Sequence, residues 1–330
     1  MTSQAIVKLM SNKLNPSSGV SVLFRYANML ILPVIGFVIF IGIWSAVASQ
    51  IDTSLGKFPG PSAVLEQTVS LYKEHNQQQE KAKAFYERQE TRNAARLADD
   101  PSYQPKVRPF TGAPTFFEQI WTSLYTVGVG FLLASIIAVP LGILCGLSKS
   151  TYTALNPLIQ LFKPVSPLAW LPLVTMVVSA VYVSDDPMFA KSFVTSAVTV
   201  ALCCLWPTLI NTAVGVSSID KDLINVSKVL RLSTFKHIQK IVLPSSIPMI
   251  FTGLRLSLGI GWMVLIAAEM LAQNPGLGKF VWDEFQNGSS ESLARIMVAV
   301  LTIGIIGFIL DRLMLMLQKS VSWDKNAVLR

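Results

Sequence analysis

The chain has 330 residues, of which 52% are hydrophobic and only 14% are charged, and its formal net charge is +8. Soluble domains carry about 25% charged residues, so this composition excludes an ordinary soluble protein and indicates one that is integral to a membrane. The excess of Lys and Arg lies mainly between apolar stretches, which favours membrane topology over nucleic-acid binding as its explanation.

Six largely apolar stretches follow an N-terminal segment at 1–26, and a helix needs about 20 residues to cross a bilayer. The sequence therefore predicts an all-α membrane protein with about six transmembrane helices. The first is expected at 27–49, and residues 117–320 are expected to form the transmembrane core before a tail at 321–330. The stretches within that core lie at 119–147, 164–184, 192–216, 247–271 and 296–310.

The first apolar stretch has a rival interpretation as a cleaved signal peptide, because it ends in Ala46-Val47-Ala48. The apolar part of such a signal normally runs about 7–15 residues. This stretch is longer, which favours a transmembrane helix.

The segment at 50–116 interrupts the apolar pattern with nine basic and eight acidic residues. A helix is expected to start near Pro61 or Ser62, weakly apolar at first and polar on all sides afterwards. Two interpretations stay open for this insertion: a solvated helical linker, and a docking surface for an extracytoplasmic partner.

Three prolines, Pro164, Pro167 and Pro172, predict a kinked or interrupted entry into the third apolar stretch. Irregular backbone at membrane depth is tolerated where it is buried in protein or lines a watery cavity. Ser166, Pro167 and Trp170 are therefore candidates for a substrate pathway. A structural kink, with Trp170 as a packing aromatic, is the alternative.

The fifth apolar stretch holds two charged residues, Arg255 near its start and Glu269 near its end. A charge at the bilayer centre is expensive, whereas one near the end of a span reaches the interface. Both residues are therefore candidates for interfacial anchoring as much as for the pathway, with Arg255 as a candidate attractor of anions. In the sixth stretch, Asp311 and Arg312 mark the point where the helix is expected to emerge and continue amphipathically.

The segment at 217–246 is a charged run between two strongly apolar stretches. Apolar residues recur in it at three- and four-residue spacing, which predicts an amphipathic helix lying against another surface. They are Ile219, Leu223, Val226 and Leu230. Ser233 and Thr234 offer hydroxyls that could cap a second helix, so two short helices at an angle are expected before Leu243 and Pro244.

The distribution of Lys and Arg predicts the orientation in the membrane. Five lie at 217–246, three in the N-terminal segment and four at 311–330, after the last apolar stretch, whereas the loops at 185–191 and 272–295 carry one and two. The positive-inside rule therefore predicts that both termini and the 217–246 segment are cytoplasmic. The insertion at 50–116 is then expected outside.

Residues for catalysis or metal binding are missing. Cys145, Cys203 and Cys204 lie in apolar stretches without metal-ligand spacing, and the chain has only two histidines, His75 and His237. We therefore expect neither a disulfide scaffold nor a metal site. No G-x-x-x-x-G-K-[ST] phosphate-binding loop occurs, so no ATPase site, catalytic residue or cofactor is expected on this chain.

The 217–246 segment resembles the EAA loop of ABC-importer permeases, which reads Glu-Ala-Ala, three residues, Gly, nine residues, Ile-x-Leu-Pro. On that spacing, the positions are occupied by Asn225, Val226 and Ser227, by Arg231 in place of Gly, and by Ile241, Leu243 and Pro244. The resemblance implies that this segment, with Leu223 and Leu230, forms coupling helices that dock into an ATPase subunit. With Arg231 instead of Gly, the expected left-handed turn costs about 1 kcal/mol or more.

Further stretches look like the nitrate, sulfonate and taurine permeases: PVSPLAWLP at 164–172, TGLRLSLG at 252–259, AAEML at 267–271 and GLGKFVWDEFQN at 276–287. The WDE tripeptide and NVSKVLRL at 225–232 are most similar to the nitrate, cyanate and bicarbonate branch. The part of the insertion at 70–115 is longer than that branch usually carries.

The resemblance implies a type I ABC importer permease fold in a bacterial inner membrane. The implied partners are cytoplasmic ATPase subunits that use ATP and Mg, a second permease chain that is identical or related, a periplasmic or lipid-anchored substrate-binding protein, and membrane lipid. The implied solute is nitrate, nitrite, cyanate or bicarbonate, with sulfonate- or taurine-like anions as the alternative. An ATP-independent secondary transporter or channel and a membrane scaffold or sensor stay open as other classes.

Overall fold

The structure is a computed structural model that describes residues 19–53, 56–183, 187–289 and 291–321, with side chains from residue 31 onward. Most of the expected N-terminal segment, most of the C-terminal tail, and Asp185 and Asp186 lie outside the described residues. The contacts divide the chain into residues 1–66 and 67–330.

Helices make up nearly all of the described chain, as the sequence predicts. The long helices are α1 (Gly19–Ala48), α2 (Pro61–Asp99), α3 (Phe116–Leu147), α6 (Lys191–Ser217), α9 (Leu243–Ala272) and α11 (Ser292–Val321). The shorter ones are α4 (Lys149–Phe162), α5 (Pro167–Val181), α7 (Lys221–Val229), α8 (Thr234–His237) and α10 (Leu277–Asn287), and a π-helical turn at Ile238–Val242 joins α8 to α9.

In the first unit, α1 is long and apolar enough to cross a membrane over Ile31–Ala48. A two-stranded antiparallel hairpin follows, in which β1 (Asp52–Thr53) pairs with β2 (Gly56–Lys57). The indole N–H of Trp44 donates to the carbonyl oxygen of Pro59 at 3.1 Å, which ties the end of α1 to the start of the insertion.

In the second unit, α3 and α6 pack side by side in the same direction. Gly130 of α3 faces Ala197 and Val200, whereas Gly142, further along α3, faces Leu209 and Thr212, further along α6. A Cβ at Gly142 would lie 2.6 Å from the Cβ of Thr212. Small residues therefore allow the two backbones to approach closely, as the Gly-rich sequence of α3 predicts.

Because α3 and α6 are parallel, the chain between them must return along their whole length. Helices α4 and α5 provide this return, with a bend of 100° at the break between them. The pair together is apolar enough to count as one broken span. The interruption that the prolines of the third stretch predict is thus confirmed.

Helix α9 runs antiparallel to α6, and α11 runs antiparallel to α9. Ser257 of α9 exchanges hydrogen bonds with Cys204, and its hydroxyl lies 2.6 Å from that of Thr208. The indole of Trp262 in α9 donates to the carbonyl oxygen of Ile303 in α11 at 3.0 Å. With the broken pair as one span, the described residues hold up to six candidate membrane spans, which agrees with the expected number.

The insertion is folded rather than extended. Residues 100–115 return along α2 and are held by its polar side chains. The buried Gln89 accepts a hydrogen bond from the backbone N–H of Arg108 at 2.9 Å, and the Tyr86 hydroxyl accepts one from the N–H of Phe110 at 3.1 Å. Helix α2 begins at Pro61, as predicted, but its outer part is polar partly because it binds this returning segment.

Candidate functional site

The segment between α6 and α9, residues 218–242, forms an elbow of α7, α8 and the π-helical turn. Asp220 caps α7, and its carboxylate accepts a hydrogen bond from the N–H of Asp222 at 2.9 Å. Ser233 occupies the capping position of α8 but makes no capping hydrogen bond with its side chain. The two helices of the sequence prediction are present, although α8 has only four residues and runs on through the π-helical turn into α9.

Arg231 ends α7 in the left-handed conformation, with a φ of 47°. The N–H of Leu232 donates to the carbonyl oxygen of Ser227 at 3.1 Å, and the N–H of Arg231 donates to that of Lys228 at 3.0 Å. This pair of bonds is the Schellman arrangement, in which glycine is the usual residue at the left-handed position. The elbow therefore keeps the turn expected from the EAA pattern, and an arginine bears its conformational cost.

Pro244 explains the π-helical turn before α9. Proline has no N–H to donate, and its ring collides with the carbonyl group four residues earlier in a regular helix. That carbonyl belongs to Lys240, inside the turn at Ile238–Val242, where the N–H of Leu243 reaches back to Ile238. The wider turn accommodates the ring, so the Ile-x-Leu-Pro sequence starts the long helix α9 with a local change in pitch.

One face of the elbow packs against the transmembrane helices. Ile219 and Ile238 contact a buried cluster formed by Ile143, Val216 and Val242. The spacing places Ile219 in the apolar stripe of the first helix, but Ile219 precedes α7 and packs in the core.

A hydrogen bond joins the two helices of the elbow. Ser227, which is buried, has its hydroxyl 2.7 Å from Nδ1 of His237. This hydrogen bond links α7 directly to α8.

The other face of the elbow carries apolar side chains that nothing in the described chain covers. Each is more than 40% exposed: Leu223, Val226, Val229, Leu230 and Phe235. Asn225 and Arg231 are exposed beside them, Leu243 is 38% exposed, and Ile241 and Pro244 are half-buried. Except for Ser227, the EAA-like positions are thus at least partly accessible.

The candidate pathway residues Ser166, Pro167 and Trp170 come together at the bend between α4 and α5. The hydroxyl of Ser166 caps α5 by accepting a hydrogen bond from the N–H of Leu168 at 3.3 Å, and Pro167 is the first residue of that helix. The half-buried ring of Trp170 lies 5.7 Å from that of Phe162. Their role in transport stays a prediction.

Arg255 is not a free charge. Its guanidinium binds the carboxylate of Asp311 in α11 at 2.5 and 3.0 Å, with both side chains partly exposed. The pair has no net charge, so the guanidinium of Arg255 is already neutralised. The same contact links α9 to α11. Helix α11 continues through Asp311 to Val321.

Glu269 lies at the other end of α9 and is fully buried. Its carboxylate accepts hydrogen bonds from the Ser123 hydroxyl at 2.8 and 2.9 Å and from the N–H of Gly278 at 3.0 Å. The Ser123 hydroxyl in turn accepts from the N–H of Leu277 at 2.8 Å. Protein groups therefore surround the carboxylate of Glu269, for which interfacial anchoring and a place in the pathway were both open.

Two glycines make room for this carboxylate. A Cβ at Gly276 would collide with the Glu269 carboxylate, and one at Gly278 would collide with the backbone of Ile266. Neither these glycines nor Ser123 was predicted from the sequence to be near Glu269. Two glycines just after an apolar stretch could have indicated a close approach of backbone to a buried group, because such an approach requires glycine. Ser123, an isolated serine in α3, gives no such indication.

The elbow and the Glu269 cluster mark the two ends of the transmembrane unit. Helix α9 joins them over 30 residues, which is about 45 Å at 1.5 Å per residue. A surface that is open to a partner therefore lies at one end, and a closed polar cluster at the other.

Comparison with known proteins gives a family match. The model of the family "Binding-protein-dependent transport system inner membrane component" matches residues 138–323. The nitrate import permease protein NrtB of Synechocystis sp. is 32% identical over 309 residues, which cover 94% of each chain. The bicarbonate transport system permease protein CmpB of the same organism is 40% identical over 207 residues, which cover 62% of this chain and 69% of that protein.

A solved structure has a similar fold. The inward-facing MetNI methionine ABC transporter matches with a TM-score of 0.53 at 14% identity, over 63% of this chain and 96% of the matched chain. At this identity the likeness concerns the fold alone.

Proposed function

The chain belongs to the family of binding-protein-dependent transport system inner membrane components, the permease subunits of ABC importers, and we propose that it forms the path for a small inorganic anion, first of all nitrate. The observation that carries this proposal is the similarity to a nitrate import permease along 94% of the chain. The same planar, singly charged chemistry makes bicarbonate the second candidate, and the 40% identity to a bicarbonate permease favours it. Sulfonate-like organic anions are the remaining alternative.

We infer that the elbow faces the cytoplasm and the insertion faces outward. The Lys and Arg distribution supports this orientation, and so does the contact of Arg295, at the start of α11, with Glu74 of the insertion. These two segments must share one side of the membrane, opposite to the elbow. With α1 as a further crossing, both termini are cytoplasmic.

We propose that the exposed apolar face of the elbow docks into a cytoplasmic ATPase subunit, which binds and hydrolyses ATP with Mg. Leu223, Val226 and Leu230 present their side chains in one direction. Because each is already about half buried, docking would gain roughly half of the about 1.5–3 kcal/mol for burying a fully exposed apolar side chain. Closure of an ATPase dimer would then move the elbow, and α9 would carry the motion to the Glu269 end. A second copy of this chain completes the path.

For the anion path, we propose the bend at Ser166, Pro167 and Trp170. Arg255 is neutralised by Asp311, and the Glu269 carboxylate is occupied by Ser123 and Gly278. We therefore assign these two charged residues to holding α9 against its neighbours. The bend is the remaining irregular backbone among the candidates, and solute selection rests with a separate binding protein.

The docking proposal is tested by placing a charge on the exposed face. Leu230→Asp and Leu223→Asp are expected to abolish uptake and release the ATPase from the purified complex, while the chain still inserts into the membrane. Met188→Asp is the matched control, because Met188 is 85% exposed and lies just before α6, at the end of that helix away from the elbow. Normal uptake and normal ATPase retention in both elbow variants would sink the proposal.

A further inference from the structure

A cleft of about 460 Å³ opens where the insertion meets the transmembrane helices, at the end of the unit opposite to the elbow. Its walls come from α2, from residues 113–115, from the first turns of α3 and α11, and from α10. None of the residues that we assign to the anion path or to ATPase docking lines it. The cleft therefore needs a separate explanation.

Gln119 lines this cleft and is only 5% exposed. Its side-chain oxygen accepts no hydrogen bond from the described residues. A buried acceptor without a partner costs about 1–3 kcal/mol, and buried polar groups in native proteins are nearly always satisfied. The oxygen thus calls for an N–H or O–H donor that another molecule supplies.

The charges around the cleft favour a cationic donor. Arg295 binds Glu74 and also Glu284, the latter at 3.3 Å, and Lys279 binds Asp283 at 2.7 Å. The lining therefore has three carboxylates against two cations, a net charge of −1.

Apolar rings form part of the same wall. Phe116 and Phe280 are in contact there, with ring centroids 4.9 Å apart. Side chains of Lys and Arg suit such a cleft, because their apolar stems pack on rings while their heads donate hydrogen bonds.

We propose that this cleft receives a Lys or Arg side chain of the solute-binding protein that delivers the anion. Helix α2 continues for 21 residues beyond Gln78 at the rim, roughly 30 Å, so a surface of macromolecular size adjoins the cleft. This inference rests on the proposed import function. It assigns the insertion a role in docking rather than that of a passive linker.

The proposal is tested by removing, one at a time, the negative and the positive member of the ion pair between Asp283 and Lys279. The assembled importer in lipid nanodiscs is titrated with its fluorescently labelled solute-binding protein at low salt. Asp283→Asn frees the Lys279 ammonium, which repels a cationic side chain, and is expected to weaken binding of the solute-binding protein about fivefold. Lys279→Gln frees the Asp283 carboxylate, which attracts that side chain, and is expected to tighten binding about threefold. Asp222→Asn, an exposed acid at the elbow end of the unit, is the matched control and leaves the Kd unchanged.

Equal weakening by both cleft variants would point to structural damage and overturn the proposal, as would an unchanged Kd in both. Gln119→Leu removes the unpaired acceptor and is expected to weaken binding without lowering the Tm of the complex. A photocrosslinker at Gln78 is expected to label the binding protein next to a Lys or Arg, and labelling of lipid alone would contradict this. If wild-type importer takes up anion while the cleft variants bind normally, the docking proposal fails and the import function stands.

Discussion

The left-handed turn at Arg231 gives a graded prediction for the elbow. A residue with a side chain adopts this conformation at a cost of about 1–2 kcal/mol, which glycine does not bear. Arg231 has a φ of 47° and is exposed, so it makes few contacts that would be lost on replacement. Arg231→Gly should therefore stabilise the turn by about 1 kcal/mol, Arg231→Ala should leave it nearly unchanged, and the β-branched Arg231→Val should destabilise it.

Amide hydrogen exchange measures this directly, because the N–H of Leu232 is protected by its bond to Ser227. A change of about 1 kcal/mol corresponds to roughly a fivefold change in protection. Leu232 should exchange more slowly than wild type in Arg231→Gly and faster in Arg231→Val, with Arg231→Ala in between. Equal exchange in the Gly and Val variants would refute the assignment of strain to this turn.

Three further substitutions test the packing of the transmembrane unit by thermal unfolding in detergent. Glu269→Ala should lower the Tm strongly, because each buried donor left without a partner costs about 1–3 kcal/mol; a Tm equal to wild type would contradict the buried cluster. Gly142→Ala should destabilise by about 1–3 kcal/mol through overpacking, whereas Gly128→Ala, with no atom within 4 Å of the added methyl, should not. Arg255→Leu should lower the Tm by leaving Asp311 unpaired, and adding Asp311→Leu should restore it; an additive loss in the double variant would argue against the pair.

Local features were predictable from the sequence because their causes are local. The prolines around residue 167 predict the break between α4 and α5. The apolar periodicity of α7 predicts an amphipathic helix, whose Leu223 and Leu230 are exposed in this chain. The left-handed turn at Arg231 was expected only from the resemblance to the EAA pattern, because arginine itself disfavours that conformation.

Partners that come from distant parts of the chain were not predictable. Glu269 meets Ser123, which is 146 residues away, and Arg255 meets Asp311, which is 56 residues away. The partner of such a charge cannot be read from a single sequence, because it depends on how distant helices pack. The path of residues 100–115 along α2 was unpredictable for a similar reason. Gln89 binds the backbone of Arg108, so no particular side chain marks the contact in the sequence.

Reconstituted transport tests the central claim most directly. Proteoliposomes that contain this chain, its ATPase and its solute-binding protein should accumulate nitrate only when ATP and Mg reach the ATPase. Leu230→Asp should abolish the accumulation, and excess bicarbonate should reveal whether that anion competes. Nitrate flux through the chain alone, without ATPase or ATP, would contradict the account, and so would the lack of ATP-dependent uptake of any small anion by the complete system.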